Sequence, residues 1–81
     1  MATQQALTKN ILHGVLKTIP YLTKLPTHRL WFDYDQEADV LYVSLERPQK
    51  ATTSKMRDDG ILLRYRAKKL VGVTVFEASK R

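Results

Sequence analysis

Residues 30–45 decide the fold: Leu30-Trp31-Phe32-Asp33-Tyr34-Asp35-Gln36-Glu37-Ala38-Asp39-Val40-Leu41-Tyr42-Val43-Ser44-Leu45. Two runs rich in aromatic and β-branched residues, Leu30–Tyr34 and Val40–Leu45, flank the polar segment Asp35–Asp39. That is the pattern of an antiparallel hairpin. Side chains alternate along a strand, so Leu41, Val43 and Leu45 fall on one face and Tyr42, Ser44 and Glu46 on the other. With Leu30, Phe32 and Tyr34 turned inward, Trp31 projects outward beside Asp33, as an exposed interface anchor does.

Downstream the strand signals continue. Arg47–Lys50, with Pro48, reads as a loop, and Thr52–Met56 as a short polar strand. Asp58-Asp59-Gly60 is a turn in which Gly60 takes positive φ. Ile61–Arg66 and Leu70–Phe76 form a second hairpin around Ala67-Lys68-Lys69.

Upstream the period changes. Leu7, Ile11, Leu12, Val15, Leu16 and Ile19 recur at the three- and four-residue spacings of one helical face. Thr3 is placed to cap this helix, and Pro20, which lacks an N–H, is expected to end it at Ile19. Gly14 costs about 1 kcal/mol relative to Ala unless close packing uses it. Residues 20–27 form a connector punctuated by Pro20 and Pro26.

The expected architecture is one α+β domain over residues 1–81. An N-terminal amphipathic helix and connector (1–27) precede a four- or five-stranded antiparallel β-meander (28–81). Burying each Leu, Ile or Val side chain is worth about 1.5–3 kcal/mol. Leu12 and Leu16 are therefore expected to be buried, against the sheet or against a second subunit. An exposed sheet edge adds to the case for a homodimer.

Composition narrows the chemistry. The 81 residues allow one small core, and 43% apolar with 27% charged residues is globular composition. The absence of Cys excludes disulfides, thiolate zinc sites and a Cys nucleophile. No apolar run approaches the roughly 20 residues of a membrane span, and no signal-peptide pattern opens the chain. A cytoplasmic protein without membrane association is expected.

The acidic run Asp33, Asp35, Glu37, Asp39 has the alternating spacing of a calcium loop. Ala38 and Ser44, however, stand where that loop needs Gly and the bidentate Glu. The carboxylates of Asp35 and Asp39 are instead expected to accept hydrogen bonds from the turn. His13 and His28 are read as surface residues. No nucleophile motif or phosphate loop accompanies them, so no catalytic residue, metal or cofactor is expected.

The net charge of +6 does not spread evenly in its consequences. Arg64, Arg66, Lys68 and Lys69 crowd one hairpin, with Arg64 and Arg66 on the same strand face. Together with Trp31 they are the candidate contact residues, for nucleic-acid phosphates and bases or for an acidic protein.

The run Tyr34-Asp35-Gln36-Glu37-Ala38-Asp39-Val40-Leu41-Tyr42 resembles the YDxxxDVLY signature of the proteins grouped as domain of unknown function 2283. Asp59-Gly60-Ile61-Leu62-Leu63, Val71-Gly72-Val73 and Glu77-Ala78-Ser79 resemble that family's later blocks in order and spacing. The resemblance covers about residues 29–81 and implies a compact antiparallel sheet. It implies no catalytic residue, and points to an antitoxin or accessory role with a toxin-like protein partner. Arg64 and Arg66 depart from the family pattern, which has acids there, and the following turn is shorter and lacks its Gly. The helix before residue 28 lies outside the pattern. The expected function is thus a non-enzymatic interaction module, with a nucleic-acid-binding protein as the alternative.

Overall fold

The computed structural model describes residues 3–81. Met1 and Ala2, with which the expected helical segment and the expected domain begin, lie outside the described residues.

The helix α1 spans Gln4–Leu22, and Thr3 caps it, its Oγ1 accepting from the Ala6 N–H at 3.1 Å. Pro20 does not end it: α1 runs on to Leu22 and is capped at Thr23, whose N–H bonds the Ile19 carbonyl. Pro20 is exposed in the last turn of α1, so its missing N–H removes one hydrogen bond at a solvent-facing helix end.

Five strands follow: β1 (Trp31–Asp35), β2 (Val40–Ser44), β3 (Thr53–Met56), β4 (Ile61–Arg66) and β5 (Lys69–Phe76). All pairings are antiparallel, in the order β1-β2-β5-β4-β3. The sheet is therefore not the sequential meander expected. After β2 the chain crosses to the far edge, and β5 returns to pair with β2. At the turn between β3 and β4, Gly60 takes φ +80 as expected.

The register sorts the side chains into two faces. Phe32, Val43, Val73 and Leu63 form one cross-strand row, and Tyr34, Leu41, Val75 and Ile61 the next, so this face is apolar across four strands. The opposite face holds Trp31, Ser44, Gly72 and Arg64 in one row and Asp33, Tyr42, Thr74 and Leu62 in the next. Near its start β5 carries an extra residue: Arg64 pairs with Gly72 but Tyr65 with Leu70, leaving Val71 as the bulge.

Burial inverts the expectation. Among the described residues, the buried ones are Val40, Val71, Gly72 and Thr74. None of the eight side chains in the two apolar rows is among them. Over the mixed face runs the β2–β3 connection, where Gln49 donates to Ser44 Oγ at 3.0 Å and lies so close to Gly72 that a Cβ there would overlap it. On the apolar face the connector residues Leu25 and Leu30 border one end, beside Phe32, Val43 and Val73, and bury none of them. Phe32 and Tyr34, expected to be inward, are consequently exposed at 55% and 49%, while Trp31, expected to be outward, is half-buried.

The helix shows the same deficit. Its six stripe residues are all exposed, from 42% at Ile19 to 59% at Ile11. Leu12 and Leu16 are thus not buried against the chain's own sheet, and nothing approaches Gly14. A compact monomer of this mass exposes about 5,000 Å², whereas the chain exposes 6907 Å². Its radius of gyration, 14.7 Å, likewise exceeds the roughly 12 Å of a compact chain this long. No helix among the described residues is long and apolar enough to cross a membrane.

Candidate functional site: a basic cleft beside Trp31

Arg66 and Lys69 pair across the tight turn between β4 and β5. Thr52 steadies that turn, its Oγ1 accepting from the Ala67 N–H at 3.2 Å. Ala67 itself has φ +55, a conformation that costs a Cβ-bearing residue energy and is held by its surroundings. Glu46, just past β2, reaches both bases. Its Oε1 accepts from Arg66 at 3.0 Å and meets Lys69 Nζ at 2.7 Å, and its Oε2 pairs with the other Arg66 amine. A planar guanidinium matches both carboxylate oxygens at once, which is why Arg66 makes the stronger contact. The hydrogen bonds from Arg66 and then Lys69 hold the Glu46 carboxyl at about 2, and the same contact raises Arg66.

Around this triad the connector and the β2–β3 loop form an open cleft of about 720 Å³. Arg29, Arg47 and Lys50 join Arg66 and Lys69 on its walls, with Trp31 at its side and His28 nearby. Glu46 is the one acid among them, so five bases face one carboxylate and the cleft keeps a positive field. Such a concavity attracts phosphate or carboxylate groups, and Trp31 offers a flat surface for stacking.

Of the five candidate contact residues, the structure gathers Trp31, Arg66 and Lys69. Lys68 sits exposed on the turn and outside the cleft lining. Arg64 does not join them as an exposed strand residue. It is half-buried opposite Gly72, with Nε withdrawn from solvent and without a hydrogen-bond partner. Sequence reasoning missed Arg29, Arg47 and Lys50. They lie apart along the chain, and their one shared signal is proximity to Pro26 and Pro48, the loops that the fold brings to one end.

The YDxxxDVLY residues do structural work elsewhere. Tyr34 Oη donates to Asp39 Oδ1 at 2.6 Å, while Ser79 donates to the same carboxylate through its N–H at 2.9 Å and its hydroxyl at 2.8 Å. The hydrogen bond from Tyr34, and then those from Ser79, hold Asp39 below its ordinary range, and the contact with Asp39 raises Tyr34. Asp39 has φ +56 and its carbonyl accepts from the Ala78 N–H, so it latches the β1–β2 turn to the chain's end. Asp35 accepts from the Ala38 N–H within the turn, as expected. Among the described residues no three His, Asp or Glu side chains form a metal-binding group, and both His are exposed.

No curated protein and no solved structure matches the chain. The family model described as "Protein of unknown function (DUF2283)" matches residues 31–79, from the start of β1 to the Ser79 of the latch and without α1. The match takes in more than half of the chain, which therefore belongs to that family.

Proposed function

We propose that the chain is a non-enzymatic interaction module that works through protein–protein contact and associates with itself. The observation that carries this reading is the uncovered apolar surface. A five-stranded sheet leaves two apolar rows bare, the helix leaves its whole stripe bare, and the surface exceeds that of a compact monomer by roughly 1,900 Å². Obligate homodimers bury roughly 1,000–2,500 Å² per chain. Sedimentation or light scattering over a dilution series tests this: a two-chain mass persisting at micromolar concentration is expected. A one-chain mass at every concentration overturns self-association.

An antitoxin-like role is the narrower form of this reading and rests on the family resemblance. It is tested by co-purification with the product of an adjacent small toxin-like reading frame. A second reading is favoured by the cleft, where five bases converge beside Trp31. Nucleic-acid contacts release counterions, so affinity falls log-linearly with salt, by roughly one unit of slope per phosphate. The net charge alone predicts weak attraction that modest salt removes. Submicromolar binding at about 150 mM salt, with a multi-phosphate slope lost on changing exposed Arg47 and Lys50 to Glu, establishes the second reading instead.

A further inference from the structure

Resting on the self-association reading, we propose that two copies of the chain exchange helices: α1 of each copy lies across the bare apolar rows of the other's sheet. Two separate apolar surfaces on one chain need cover. Pairing helix with helix leaves both sheets bare, and pairing sheet with sheet leaves both helices bare. Reciprocal exchange about a two-fold axis covers all four surfaces in one closed interface. The dimensions agree. Nineteen helical residues span about 28 Å, and the outer strands of a five-stranded sheet stand about 19 Å apart. The helix is long enough to cross every strand.

Beyond its last residue, Leu22, which lines a cavity with Leu30 and Phe32, the connector leaves the stripe of α1 away from its own sheet. Beyond Leu22 the chain continues in tight turns, with Lys24 N–H donating to Tyr21 and Leu25 N–H to Leu22. Leu25 already meets the end of the apolar face, lining a cavity of about 590 Å³ with Leu30, Val43, Leu45, Leu70 and Val73. Pro26 fixes its φ, and Thr27 Oγ1 donates to the Arg29 carbonyl at 3.2 Å, which leaves little free chain for reversing the helix. The cavity opens beside bare sheet, where a partner's helix enters.

The chain has no Cys, so single thiols can be introduced cleanly. Leu12→Cys and Val43→Cys variants, differently tagged and refolded together, are oxidised mildly and the disulfide-linked species weighed. The expected result is a mixed two-chain species several-fold more abundant than either like-with-like species. Leu12→Cys joining mainly to itself indicates helix pairing, and Val43→Cys joining mainly to itself indicates sheet pairing. Either overturns exchange and leaves self-association standing. A double variant that closes an internal disulfide at one-chain mass shows the helix docked on its own sheet, which overturns both. Wild-type sedimentation alongside separates a failed variant from a monomeric protein.

Discussion

The helix carries six apolar side chains on one face and the sheet eight on another, yet their situations differ. On the sheet, cross-strand neighbours shield one another, so six of the eight are half-buried with nothing above them. On the helix the side chains have only the next turn to shield them, and all six are exposed. The sheet also has long-range ties: the Asp39 latch to Ser79, the packing of Gln49 on Gly72 and the Glu46 triad join residues distant in sequence. The hydrogen bonds of the helix run within itself, to its cap and to the first connector residues, and only at its last residue, Leu22, does it line a cavity with Leu30 and Phe32. An isolated helix of this length is marginal in water. Similar apolar content thus gives one unit joined by long-range pairings and another held mainly by its own backbone.

The largest effect expected from this contrast is at Val71, fully buried in the bulge of the central strand. Val71→Asp places an uncompensated charge in the interior, and circular dichroism should show loss of the cooperative melt altogether. Leu12→Asp, on the helix, should instead leave the strand signal in place and shift sedimentation from two chains to one. A sheet that survives the first change but not the second would reverse the comparison.

Acid sharpens it further. Glu46 is held at about 2, below its ordinary 4.5. A carboxyl so depressed contributes stability above the ordinary value, and the contribution is lost as pH falls through the window from 4.5 towards 2. Melting temperatures should therefore drop more steeply across that window in the wild type than in Glu46→Gln. Parallel curves for the two proteins would mean that the triad does not help hold the sheet end. The smallest effect belongs to the helix: Gly14→Ala should stabilise it by up to about 1 kcal/mol, since a Cβ there meets nothing. A destabilised oligomer in that variant would show that a partner packs against Gly14.

Local periodicity determined a great deal. Alternation over Leu30–Tyr34 and Val40–Leu45 placed those strands within a residue, and the three- and four-residue spacing from Leu7 to Ile19 placed the helix, though its end lies three residues further on, at Leu22. Thr3 and Gly60 did what hydroxyl and glycine chemistry require at a cap and a turn. The misplaced helix end at Pro20 has a local cause as well, because a proline so near a solvated terminus removes only one bond. What no local pattern contains is which surfaces meet. The pairing of β2 with β5, the latch between Asp39 and Ser79, and the gathering of Arg29, Arg47 and Lys50 with Arg66 and Lys69 all join residues remote in sequence. Parity along β1 was legible, but whether Phe32 or Trp31 is covered depended on the β2–β3 connection crossing one face and not the other. Side-chain alternation is set by each strand's own backbone, whereas burial is set by whatever the rest of the chain, or another chain, lays on top of it.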